Sequence, residues 1–354
     1  MKKIKPKSKK LKISACYIVK NSADDLKISL ESLKKSVDEI VVVDTGSTDS
    51  TAEVAKKFGA KIFYREWDDD FSAPRNLALE KATGDWIIFL DADEFFTNVT
   101  KKNIRAAIER LEQFKQNGLL IHLVNVDKNV GNKILDAHFV LRIFKNQKNL
   151  HYVGKIHEEI RVGENLLSEV TFAPPNILTI YHTGYSESLN KAKAERNLEL
   201  LLEELAETDE PQRIYGYIAE CYNGLDDFEN AEKFSLMDIE SSSKQKNFSA
   251  RSYRIILSIL AKDLSRADER EKFATLAVKD FPAFPEFTAE LAECFAQRGD
   301  FENAVDSMKK ALQKFKTYRE LEPMQFDENL AKFAESRIKL WLEKINRREK
   351  DAEN

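Results

Sequence analysis

The sequence predicts an α/β domain built on a mostly parallel sheet, followed by a separate all-α domain. Three observations carry this. Short β-branched runs alternate with segments of helical spacing through the first hundred residues. Two of those runs end in aspartate, Asp44 and Asp91. From about residue 190 helical spacing takes over, and one pattern recurs 73 residues apart. At 354 residues the chain exceeds what one core usually organises, so two domains are expected: residues 11–188 and 189–348, behind a basic tail at 1–10.

The elements follow in order. Ile13–Val19 is a compact apolar run before a Lys-Asn turn, and residues 24–35 carry Leu26, Leu30 and Leu33 at helical spacing. Glu39–Asp44 holds Ile40, Val41, Val42 and Val43 unbroken, which suits a strand covered on both faces. The turn Thr45-Gly46-Ser47-Thr48-Asp49 leads into a helix over 51–58 that Gly59 ends. A strand at 60–64, a helix at 75–83 and a buried strand at 86–90 complete the alternation. Such repetition implies right-handed crossovers and ligand binding beyond the carboxyl ends of the strands, where Asp44 and Asp91 stand. Residues 103–159 read as mixed, with a helix over 104–114 and strands at 119–126 and 138–144.

The helical part has tetratricopeptide spacing. Leu291, Ala292, Phe295, Gly299, Phe301, Ala304, Met308 and Ala311 match one unit, and Ile218, Ala219, Tyr222, Asp226, Phe228 and Ala231 match another. The offset is about two units of roughly 34 residues, with Phe273, Ala277 and Pro282 in a degenerate copy between them.

Composition excludes some classes. A net charge of −4 gives no general reason to expect nucleic acid. Cys16, Cys221 and Cys294 are odd in number and lie in apolar segments, which fits reduced thiols in a cytoplasmic protein. No apolar run is long enough to span a bilayer. Seven lysines within residues 2–12 read as a solvated tail, with attraction to the inner membrane face as the functional alternative.

Asp91-Ala92-Asp93-Glu94 is the sharpest chemical feature. Uncompensated carboxylates at the end of a buried strand call for a cation, and oxygen ligands select Mg²⁺ or Mn²⁺, which commonly share phosphate oxygens. Asp44 needs no capping role and is expected to accept hydrogen bonds from a base or ribose. Arg75 lies between the acidic sites in sequence and suits a phosphate or nucleotide contact. His157 and His182 are candidates to complete a metal shell.

Taken as an ordered set, Ile18-Val19-Lys20-Asn21, residues 42–51, Ala73-Pro74-Arg75-Asn76 and residues 84–94 resemble the family 2 glycosyltransferases of GT-A fold. Leu141-Arg142-Ile143-Phe144, residues 154–158 and His182-Thr183-Gly184-Tyr185 are similar to a subgroup with tetratricopeptide repeats after the catalytic domain, the SunS-type bacterial glycosyltransferases. The resemblance implies a nucleotide-diphosphate sugar donor, commonly a UDP-sugar, and hexosyl transfer with inversion. It places Asp44 at the base or ribose, main chain from Ala15 to Ile18 around the base, and Arg75, Asp91 and Ala92 at the donor. Asp93 and Asp91 would hold the metal, with His182 and then His157 as further ligands. The family's acidic motif for the general base has no clear copy here. Glu158 is the candidate, with Glu159 and Asp136 as rivals. The acceptor would be a protein, peptide or saccharide, and the repeats would bind it or mediate homo-oligomers. A repeat-bearing adaptor with a retired nucleotide-binding domain is the competing reading.

Overall fold

A computed structural model of the chain describes residues 11–131, 133–184, 190–241, 249–318 and 324–353, so the basic tail at 1–10 and Tyr185 lie outside the described residues. The chain divides into two compact units, Met1–Asn190 and Lys191–Asn354.

In the first unit, strands β1 (Ile13–Val19), β2 (Glu39–Asp44), β3 (Lys61–Tyr64) and β4 (Trp86–Phe89) run parallel in the order β3-β2-β1-β4. Helices α1 (Ala23–Leu33), α2 (Thr51–Lys57) and α3 (Ser72–Lys81) make the crossovers. Beyond β4 the sheet becomes mixed. After β5 (Glu94–Phe96) and α4 (Ile104–Gln113) come β6 (Gly118–Asp127) and β7 (Lys133–Lys145). β7 lies antiparallel to both β4 and β6. A small second sheet, β8 (Leu150–Val153), β9 (Glu159–Val162) and β10 (Asn165–Leu166), follows. Then β11 (Val170–Phe172) and β12 (Thr179–His182) both pair parallel with β6, and β5 closes the order by pairing antiparallel with β12. This is the GT-A arrangement that the resemblance implies, with an all-α unit after it.

The valine run explains itself in this setting. Successive strand residues point to opposite faces. Val42 joins Ala15, Tyr17, Trp86 and Ile88 in a core beneath Leu26, Leu30 and Leu33 of α1 and Ile104 and Ile108 of α4. Val41 and Val43 join Cys16, Ile87 and Phe89 in a second core against Ala78 and Leu79 of α3. With both faces covered, no position on β2 between Ile40 and Val43 calls for a polar residue.

The helix expected over 75–83 begins earlier, at Ser72. Pro74 sits in its first turn, where backbone N–H groups have no intrahelical partner to lose. Arg75 is therefore on a helical face turned inward, and it is buried. The strands expected at 119–126 and 138–144 are longer and pair with each other, with irregularities at Leu119/Leu120 and Asn125/Val126.

The second unit contains α5 (Asn190–Glu207), α6 (Tyr215–Gly224), α7 (Phe228–Glu240), α8 (Ser249–Leu260), α9 (Ala267–Asp280), α10 (Pro285–Gln297), α11 (Phe301–Thr317) and α12 (Glu328–Glu353). The recurring pattern has a structural counterpart. Asp227 caps α7 by accepting from the Asn230 N–H, and Asp300 caps α11 by accepting from the Asn303 N–H. In the turn before each cap, Asp226 and Gly299 both take positive φ, 62° and 85°. The degenerate middle copy is the α8–α9 hairpin, where Asp263 accepts from the Ser265 N–H. Small alanines at the inner positions, Ala292, Ala304 and Ala311, let α10 and α11 approach closely, and Trp341 of α12 is buried against the same cluster. Among the described residues, no helix is long and apolar enough to cross a membrane.

Candidate functional site

The carboxyl edge of the parallel strands gathers most of the residues singled out in the sequence. β1 pairs with β4 only as far as Cys16, and Leu90 N–H then donates to the Cys16 carbonyl. Ile18 lies beyond that last pair, beside β2 alone. Ala15 instead has β2 on one side and β4 on the other, and it is fully buried. Of the span expected to line a base, the open backbone is therefore at the Ile18 end.

Asp44 corrects an expectation. It is buried at the end of β2, and its Oδ1 accepts from the N–H groups of Gly46 (3.0 Å) and Ser47 (2.7 Å). It thus shapes its own turn, a common use of a short acidic side chain. Its Oδ2 makes no hydrogen bond among the described residues. The loops after β1 and β2 are tied together beside it: Asn21 Oδ1 accepts from Thr48 N–H at 2.7 Å, and Asn21 N–H donates to Ser47 Oγ.

From the end of β4 the chain runs through Asp91, Ala92 and Asp93 into β5. Asp91 lies between two arginines. Arg75 donates from Nη2 to its Oδ1 at 2.8 Å, and Arg142 donates from Nη2 to its Oδ2 at 3.0 Å. Arg75 also donates from Nε to Glu158 Oε1 at 2.9 Å, and its guanidinium lies 4.9 Å from the Phe89 ring centre and 5.5 Å from that of Tyr152. Its Nη1 is buried with no hydrogen-bond partner among the described residues. Arg142 grips Glu94 with two bonds, Nε to Oε2 at 2.7 Å and Nη2 to Oε1 at 2.6 Å. The result is one alternating chain of charge: Glu158, Arg75, Asp91, Arg142, Glu94. Burial opposes the charge on Asp91, but Arg75 and Arg142 overcome it and hold its pKa well below the usual carboxylate range. Glu94 is 1% exposed, and there burial raises the pKa despite Arg142.

Asp93 faces the other way, toward β12. Its carbonyl accepts from Thr183 N–H, and its Oδ2 lies 3.3 Å from His182 Nε2. The ring is oriented by a 2.7 Å contact between His182 Nδ1 and Asn125 Oδ1. Burial would lower the pKa of His182, but Asp93, with Glu94 and Asp91 behind it, raises it overall. Gly184 passes so close that a Cβ there would fall 2.0 Å from Asp93 Oδ2 and 2.9 Å from His182 Nε2. Any side chain at 184 would occupy the space these two groups share.

The other candidates are placed as follows. Ala92 is buried in the turn between β4 and β5. His157 is in the link between β8 and β9 at φ 53°, one residue before Glu158. Glu159 is paired with Arg161 on β9. The side chain of Asp136 is outside the described residues. Among the described residues, no group of three or more His, Cys, Asp or Glu side chains converges as metal ligands, so Asp93 and His182 stand as a pair. Arg142 lies in the Leu141-Arg142-Ile143-Phe144 motif, which by itself assigns it no role. Its 48-residue separation from Glu94 hides the pairing, which follows only from β7 lying antiparallel to β4.

Residues 14–162 match the family described as Glycosyl transferase family 2. A TPR repeat-containing protein of Synechococcus elongatus is 32% identical over 211 residues, 57% of this chain and 50% of that protein. The SPbeta prophage-derived glycosyltransferase SunS of Bacillus subtilis is 32% identical over 215 residues, 59% of this chain and 49% of that protein. The chain thus spans about half the length of these curated relatives. Among solved structures, S. aureus TarS 1-349 in complex with UDP-GlcNAc covers 87% of this chain and 93% of its own, at 17% identity and a TM-score of 0.41.

Proposed function

We propose that this chain, whose residues 14–162 are a family 2 glycosyltransferase domain, moves a hexosyl group from a nucleoside diphosphate donor, UDP in the first instance, to an acceptor nucleophile with inversion. The observation that carries the reading is the Asp93–His182 pair beneath Gly184, next to the arginine-held Asp91 at the carboxyl edge of the sheet.

The residues fit a divalent ion in one respect. Adjacent ligands on an octahedral Mg²⁺ stand roughly 3 Å apart, and Asp93 Oδ2 and His182 Nε2 are 3.3 Å apart. These two would hold Mg²⁺ or Mn²⁺, with the donor's phosphate oxygens filling other positions. Asp91 was expected beside Asp93 on the metal. Two guanidiniums already bond its oxygens, and they disfavour a dication on the same carboxylate, so we assign Asp91 to the donor's ribose instead. A bound divalent ion would neutralise the diphosphate and stabilise it as it leaves.

The chain's own groups do the rest. Asp44 Oδ2 and the backbone at Ile18 receive the base and ribose. Arg75, held between Asp91 and Glu158, supplies positive charge next to the donor. Glu158 is the proposed base: Arg75 fixes its Oε1, and its Oε2 makes no hydrogen bond among the described residues. In the transfer, the acceptor's X–H proton passes to Glu158 and X bonds to the anomeric carbon. The bond from that carbon to the β-phosphate oxygen breaks, and the nucleoside diphosphate departs. The repeats offer the acceptor, a protein, peptide or saccharide, its surface.

Calorimetric titration of UDP with and without Mn²⁺ tests this. We expect metal-dependent binding in the parent, its loss in Asp93→Ala and His182→Ala, and a fall in donor turnover on the order of 100-fold in Asp93→Ala. Glu158→Gln should keep binding and lose transfer. Binding that ignores both Mn²⁺ and Asp93 would sink the proposal and favour the adaptor.

A further inference from the structure

We infer that Arg142 is a positioning residue for donor binding: by bridging buried Glu94 to Asp91, it fixes the carboxylate that receives the donor. This rests on the donor reading above.

Glu94 touches both halves of Asp91. Its Oε2 accepts from the Asp91 backbone N–H at 3.3 Å, and through Arg142 it reaches the Asp91 side chain. Glu94 itself is anchored. Its backbone pairs with His182 across β5 and β12, and its carbonyl accepts from Ser29 Oγ. With Arg75 on Oδ1 and Arg142 on Oδ2, Asp91 is held from both sides, and its side chain cannot swing without breaking a charged hydrogen bond.

Apart from the bond that Glu94 accepts from the Asp91 N–H, packing gives no reason for an ion pair here. Glu94 is 1% exposed, beside Leu90, Ala92 and Phe96 in an apolar core, and an apolar pair at 94 and 142 would serve packing as well or better. What the ions add is geometry. The planar guanidinium spends Nε and Nη2 on Glu94 and shares the same Nη2 with Asp91. A lysine ammonium could neutralise Glu94 but lacks the rigid fork that spans both carboxylates.

The test compares four proteins by UDP·Mn²⁺ titration and thermal melting: the parent, Arg142→Lys, Asp91→Asn and the double variant. Arg142→Lys is expected to fold, because Lys still neutralises Glu94, and to bind UDP on the order of tenfold more weakly. The double variant should bind no more weakly than Asp91→Asn alone, because Arg142 acts through Asp91. Parent-like binding by Arg142→Lys, or independent losses that multiply in the double variant, overturns the inference. Should Arg142→Lys fail to fold, Glu94→Gln with Arg142→Gln removes the ion pair as a unit; the same tenfold loss supports the role and parent-like binding overturns it. A parent that binds neither UDP nor GDP, CDP or ADP with Mn²⁺ overturns the donor reading, and this role with it.

Discussion

In the first unit one run of arginines and carboxylates converges at the sheet edge, whereas in the second the pairs stand separately, the buried Arg213–Glu204 pair among them, and several join neighbouring helices. Arg75 and Arg142 bind Asp91, Glu94 and Glu158 in one continuous cluster at the sheet edge. Arg266 joins Glu232 and Glu269, Arg270 joins Glu290, and Arg298 joins Glu271, each a local tie on a partly exposed surface. The two uses differ in what they ask of the sequence. Local ties tolerate exchange, because water replaces a lost partner. The buried cluster does not, because each ion there depends on the next.

The largest break in this contrast is expected at Glu94. Glu94→Ala leaves Arg142 with Asp91 alone and should cost about 3–5 kcal/mol in urea unfolding of the first unit. Its counterpart in the second unit, Glu269→Ala, removes a side chain already half in water and should cost far less. Equal losses at the two sites would erase the distinction.

Acid sharpens it next. Glu39 is buried at the start of β2, where Ser14 Oγ, Lys61 Nζ and the Thr83 N–H donate to it. Burial works against its charge, but Lys61, Ser14 and Thr83 bring its pKa down to about 2. The folded pKa lies below the unfolded value of roughly 4.3. Its contribution is therefore complete above that value and is lost as pH falls toward 2. Melts from pH 7 to 2 should show Glu39→Gln less stable than the parent at pH 7 and the gap closing by about pH 2.

The smallest effects belong to the repeats. Asp300→Ala removes the cap on α11 and should cost about 1 kcal/mol. Asp226→Gly relieves a positive φ of 62° that Gly299 adopts in the matching turn, and should be neutral or stabilise by about 0.5–1 kcal/mol. A loss on Asp226→Gly would show the two turns to be unlike.

What could be read in advance follows from sequence distance. The valine run of β2, the β4 run and the alanine spacing of α10 and α11 are local patterns, and each names its element. Asp44 and Asp91 were legible as strand ends for the same reason. The commitment of Asp44 to its own turn was missed, because a free and a turn-bound aspartate have the same neighbours in sequence. The strands β5, β8 to β10 and β12 are two to four residues long and only partly apolar, too short to show a period. Arg142 and Glu94, or Arg75 and Glu158, meet only through pairings many tens of residues apart, which no local pattern records.

β12 has a consequence for how the protein is made. The family match ends at residue 162, but the sheet does not: His182 arrives 89 residues after Asp93, on a strand that slots between β6 and β5. While a ribosome is still adding residues 163–182, β6 has a bare flank and β5 has no strand to pair with, so the nascent domain presents an adhesive edge. A fragment cut at the family boundary would keep both Asp91 and Asp93 and still be expected to aggregate, whereas one carried past Gly184 would close its own sheet.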